Sequence, residues 1–275
     1  MKKPSAYLKT FSLVLSLGMA IAVNSIATAS LKPSPSQLSQ QSLSETLLAQ
    51  RRNPLGFKVG RVRSSRQRSG GVSRGPRECA GEMITVTSLL PKVNEEELAQ
   101  KKQIELETTV DPHPTFFVYV SQTSVEEVNF TLLNEKGNRV IHSQTLALPG
   151  RPGVISVTIP EDVELEVGQS YHWLFAVQCD PMDSAGNVTV EGWVQRVALD
   201  ENLTKELNQV PESDRPQVYA KYGLWTDTLS SLAQLRENAP NNSQLREDWQ
   251  ALLQSVGLQE IANEQLISLL PESDN

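Results

Sequence analysis

Through the middle of the chain, apolar and polar residues alternate with a period of two, the pattern of strands that bury one face. The runs predict seven strands, over 83–90, 115–120, 125–133, 139–148, 154–159, 170–179 and 187–197. Turn chemistry separates them. Gly137 and Asn138 supply a hairpin with positive-φ residues, and Pro149-Gly150 and Pro152-Gly153 punctuate the next connection. After Val197 the period becomes helical. Trp225, Leu229, Leu232 and Leu235 mark a helix that stops at Asn238-Ala239-Pro240. A second opens near Ser243, carries Leu245, Trp249, Leu252, Leu253 and Val256 on one face, and closes at Gly257. An earlier helix is expected over 215–222, with Pro216 in its first turn. The expected class is α+β: an N-terminal antiparallel β-sandwich over 78–198, then a small C-terminal helical hairpin or cap over 199–275.

The stretch "LEVGQSYHWLFAVQC", residues 165–179, contains histidine and cysteine and so raises the question of nucleophilic catalysis. On a strand, Tyr171, Trp173, Phe175, Val177 and Cys179 share one face while His172 lies on the other. His172 and Cys179 would then stand about 23 Å apart, far beyond the reach of a catalytic dyad. The odd-numbered face is expected to be core. Leu165, Gly168 and Tyr171 have the Leu-x-x-Gly-x-x-Tyr spacing of a tyrosine corner, in which the phenol fastens a turn. This resembles fibronectin type III and other immunoglobulin-like sandwiches. Val167 stands where proline often precedes the glycine, and Cys79 precedes the first predicted strand, so the likeness extends to architecture and not to an antibody-type core disulfide.

Composition adds the setting. Lys2, Lys3 and Lys9 precede an apolar run over 11–23 and then Ala27-Thr28-Ala29, the order of a cleaved export signal over 1–29. Export favours disulfides, and Cys79 and Cys179 are the two cysteines, so a Cys79–Cys179 bridge is expected. Residues 30–77 read as a disordered linker, first rich in Ser and Gln, then basic, with nine Lys or Arg and no acid over 51–77. From Glu78 onward the formal charge is −19. The basic segment is suited to an anionic surface such as envelope polymers or lipid headgroups, to solvation alone, or to folding back on its own acidic body. Nucleic acid fits poorly, because Phe57 is the one base-stacking ring there.

Candidate chemistry is sparse. His113, His142 and His172 lack metal-ligand spacing, and "DPMDSAGN", 180–187, reads as a polar turn and not a calcium loop. The chain carries no phosphate-binding glycine loop, nucleophile elbow or zinc-protease helix. No metal, cofactor or catalytic residue is therefore expected. Trp193 follows Gly192 within a strand, where glycine marks a bulge or close backbone approach, and is the candidate partner-binding aromatic beside a core-packing role.

The phrases "GPRECAG", "PTFFVYVSQ", "GQSYHWLFAVQCD", "VEGWVQRV" and "YGLWTDTLSSLAQLRENAPNNSQLREDWQALLQSVGL" resemble the cyanobacterial domain-of-unknown-function family 928 over about 79–258. That resemblance implies an exported protein and transfers no catalytic residue. Tyr219, Gly223, Trp225, Leu229, Leu232 and Pro240 also lie near tetratricopeptide spacing, in one copy only. The expected function is that of a noncatalytic periplasmic or outer-envelope protein that binds a protein or polysaccharide. The alternatives are an adaptor in a secretion or envelope assembly working through its helical C-terminus, or a carbohydrate-active enzyme.

Overall fold

The computed structural model describes residues 54–57, 76–91 and 107–269. The expected signal over 1–29 and most of the 30–77 linker lie outside them. Among the described residues ten strands come first: β1 (Arg77–Cys79), β2 (Glu82–Ile84), β3 (Val86–Ser88), β4 (Glu107–Thr109), β5 (Thr115–Val120), β6 (Glu127–Asn134), β7 (Val140–Ala147), β8 (Gly153–Thr158), β9 (Ser170–Val177) and β10 (Val188–Arg196). Helices α1 (Glu201–Gln209), α2 (Arg215–Lys221), α3 (Trp225–Asn238) and α4 (Ser243–Ser255) follow, and β11 (Leu266–Ser268) comes after them. The protein is thus a mixed α+β structure with sandwich-like sheets.

One sheet has the order β4-β10-β9-β6-β7 and the other β11-β8-β5-β3, with β1 and β2 forming a separate hairpin. Most neighbours are antiparallel, whereas β4 runs parallel to β10 and β11 parallel to β8. Phe116, Phe130, Trp173, Phe175, Val190 and Ile155 fill the core between the sheets. The five-stranded sheet keeps the predicted alternation, because its outer face carries polar pairs such as Thr131 with Ser143, 3.1 Å apart, and Thr145 donating to Asn129 at 2.8 Å.

The four-stranded sheet breaks that alternation for a physical reason. Phe116, Val118 and Val120 of β5 point into the inter-sheet core, while Phe117 and Tyr119 of β5 and Val154 of β8 pack under α3 and α4. Both faces are buried, so "TFFVYV" and "GVISVT" read as nearly continuous apolar runs. The layers are therefore sheet, sheet and helices.

Local signals explain the ends of the elements. Asn134 closes the β6–β7 hairpin, its Oδ1 accepting from the backbone N–H of Asn138 and Arg139, with Gly137 at φ 69°. Asp200 caps α1 and Asn242 caps α4 through their side-chain oxygens. Gly257, at φ 78°, ends the turn after α4 and lets the Leu258 N–H reach the Leu253 carbonyl at 2.8 Å.

The helical region differs from the expected cap over 199–275 in two respects. Helices α3 and α4 share one core with the four-stranded sheet, and the chain then returns to that sheet as β11, putting Ile267 into the inter-sheet core. The expected linker also differs locally. Arg77 begins β1, and residues 54–57 are seated on the helical layer.

Candidate functional site

The residues singled out from the sequence fall in separate places. Cys79, at the end of β1, and Cys179, just past β9, form a disulfide with Cα atoms 4.8 Å apart. The bond ties the first hairpin to the β9–β10 connection, and such a pair is consistent with an exported protein. At the opposite end of β9, Tyr171 Oη accepts the Glu166 backbone N–H at 2.8 Å. Gly168 takes the left-handed conformation, φ 83°, within the same turn, and Leu165 is fully buried beneath it. None of these groups touches a reactive partner.

Trp193 lies on the outer face of the five-stranded sheet, paired in register with His172. The two rings stack in parallel with centroids 4.0 Å apart, and His172 Nε2 lies 2.9 Å from Glu191 Oε2. Trp193 is only 9% exposed. The imidazole is thus engaged on its face by an indole and on its edge by a carboxylate, away from the Cys179 sulfur. Its neighbour Gly192 turns inward, and a Cβ there would sit 2.6 Å from the Trp173 ring.

In "DPMDSAGN", Asp180 accepts from the Met182 N–H and Asp183 from the Ala185 N–H, so both carboxylates serve the turn. Among the described residues no cluster of three or more His, Cys, Asp or Glu is arranged for a metal. A cavity of about 10 Å³ between Trp173, Trp225 and Leu229 has room for roughly one water molecule.

The arrangement with the clearest capacity to bind something is on the helical layer. Leu55 and Phe57, 4% and 7% exposed, are buried in the core that α3 and α4 make with the sheet. Phe57 meets Trp225 edge to face at 5.0 Å, and its backbone N–H donates to Ser255 Oγ at 2.9 Å. Trp225 is itself fixed, its Nε1–H donating to the Leu89 carbonyl at 2.8 Å. A Cβ at Gly56 would meet only ordinary contacts, the nearest 3.9 Å away at Ser255. Burying two such side chains contributes about 3–6 kcal/mol. Ordering four backbone residues costs about 4–8 kcal/mol. The two are of similar size, so the hydrogen bond to Ser255 and the ring contact with Trp225 weigh in the balance. Sequence reasoning missed it, although an apolar pair at 55 and 57 inside a run of Arg, Gly and Ser was a usable signal.

Nearby, Asp227 is a buried acid. It sits in the first turn of α3, where the Val110 backbone N–H donates to it at 3.3 Å and Thr109 also bonds it. Burial dominates over these bonds and, with the Asp111 charge adding to it, pushes the carboxyl up to about 7. The pairing fastens α3 to the end of β4 and is structural.

The family described as Domain of Unknown Function (DUF928) matches residues 69–266, well over half of the chain. The chain belongs to the DUF928 family. The DUF928 region takes in β1 to β10, α1 to α4 and the walls of the seat around Trp225 and Ser255, begins after residues 54–57 and ends at the first residue of β11. No curated protein matches the chain in sequence. Among the described residues no helix is long and apolar enough to cross a membrane.

Proposed function

We propose that this DUF928 protein is an exported, noncatalytic binding module of the cell envelope, with a protein as its partner and the helical layer as its contact surface. The observation that carries this reading is the seat on α3 and α4, where an apolar segment from outside the family region is already held. The disulfide suits an oxidising compartment, and the N-terminal pattern of 1–29 supplies an export signal. The order β7-β6-β9-β10 facing β3-β5-β8, with the Tyr171 bond at the start of β9, supports an immunoglobulin-like, fibronectin-like sandwich as the scaffold. The basic segment between the signal and the body would hold the module near an anionic surface.

A second reading places the partner, protein or polysaccharide, on the outer sheet face around Trp193. The stacked Trp193–His172 pair with Glu191 lies on that face, where a partner would meet the edges of His172 and Glu191 and not the covered indole. Photo-crosslinking in the envelope separates the two. A crosslinker at Gln254, exposed beside the seat, is expected to give a discrete protein adduct, and one at Thr189 on the outer face of β10 none. Adducts at 189 alone would move the site to the sheet, and none at either position would remove the binding role.

A further inference from the structure

We propose that the seat between α3, α4 and the outer face of the four-stranded sheet is a docking groove for a basic peptide segment of a partner protein. That segment carries two apolar side chains two residues apart, the second of them aromatic. Leu55 and Phe57 are its self-ligand in cis. The proposal rests on the binding-module reading and names the partner's chemistry.

The occupant already present defines that chemistry. Its two side chains are apolar and spaced i, i+2, and its backbone contributes one N–H, to Ser255. Gly56 between them leaves space, so the middle position is tolerant. Charge adds a second constraint. In sequence, Arg51, Arg52, Lys58 and Arg61 flank the seated residues, whereas the chain from Glu78 onward carries a net −19. That net charge favours the approach of a basic segment to the body as a whole.

The groove lies within the family region and its occupant lies before it. Trp225 and Ser255 belong to the DUF928 region, and residues 54–57 precede it. Residues 58–76 join the occupant to β1. Docking of the self-ligand is therefore intramolecular, which favours it over a free peptide of the same sequence. A partner segment thus competes with the chain's own, and Leu55 and Phe57 set the threshold that it must exceed.

The test uses the full chain and a fluorescent peptide with the sequence of residues 51–60, RRNPLGFKVG. In the Leu55→Ala/Phe57→Ala protein the groove is vacated, and the peptide is expected to bind at least tenfold more tightly than to wild type. Adding Ser255→Ala should weaken that binding severalfold, and a peptide with both apolar residues changed to Ala should not bind. If the double variant melts cooperatively with an unchanged circular dichroism spectrum yet takes up no peptide, the groove is not a docking site. Equal binding to wild type and variant would overturn competition in cis, and binding indifferent to salt would overturn the basic character of the partner. Because no envelope component takes part, this result fails or succeeds independently of the crosslinking.

Discussion

Gly192 shows how much one hydrogen atom in place of a methyl group can matter. Trp173 lies directly across from it in the β9–β10 register, and its ring occupies the space that any Cβ would need. Gly192→Ala is expected to lower stability by about 1–3 kcal/mol, the range for overpacking, read as a drop in denaturation midpoint without a change in slope. Asp227 gives a pH signature. Its folded value of about 7 stands above the ordinary 3.8, so between those values the folded state binds the proton more tightly than the unfolded chain. The group's contribution is complete below pH 4 and is lost as pH rises through about 7. Asp227→Asn should therefore flatten stability between about pH 4 and pH 7 and leave the variant the more stable of the two at pH 8. The glycine was readable as a site of close approach, but the ring that approaches it depends on strand register. Asp227 was not readable, because Val110, which bonds it, is 117 residues away in sequence.

At the level of elements, legibility followed length and one-sided burial. Strands β5 to β10, six to nine residues each, announce themselves by period or by turn residues. Strands β1, β4 and β11 have three residues apiece, too few to show a period at all. Helix α1 has an apolar stripe of only Leu203 and Leu207, with Val210 just past its end, in an otherwise polar run. The helical layer was foreseen as a cap, but not that it would bury the far side of β5 and β8, because an apolar run does not say how many faces are covered. Ile267 decides whether the layer is separable. It reaches into the inter-sheet core from β11, and its Cδ1 lies where a Cβ on Gly153 would be. Ile267→Ala should cost about 2–4 kcal/mol and shift a single unfolding transition, detected together by far-ultraviolet circular dichroism and tryptophan fluorescence. Two separate transitions, with the helices melting first, would contradict the shared core.

Across the whole molecule, the long-range constraint is the Cys79–Cys179 bond, which closes a loop of 100 residues in sequence separation. Changing both cysteines to serine should lower stability by about 2–5 kcal/mol, measured by denaturant titration against the oxidised protein. The charge division runs on the same scale, a basic segment before an acidic body, and was plain in the sequence. What the sequence could not convey was that a four-residue piece of that segment lodges on the body, since its hosts, Trp225 and Ser255, come together only when the helices stack on the sheet.

The covalent loop also governs how the molecule would yield to tension. Pulled from its two ends, the oxidised chain pays out only the residues before 79 and after 179, while β5 to β9 stay inside a ring that carries the load through sulfur. Reducing the bond would release about 330 Å of additional contour. A single-molecule extension trace should show that length as a discrete step found only in reducing buffer.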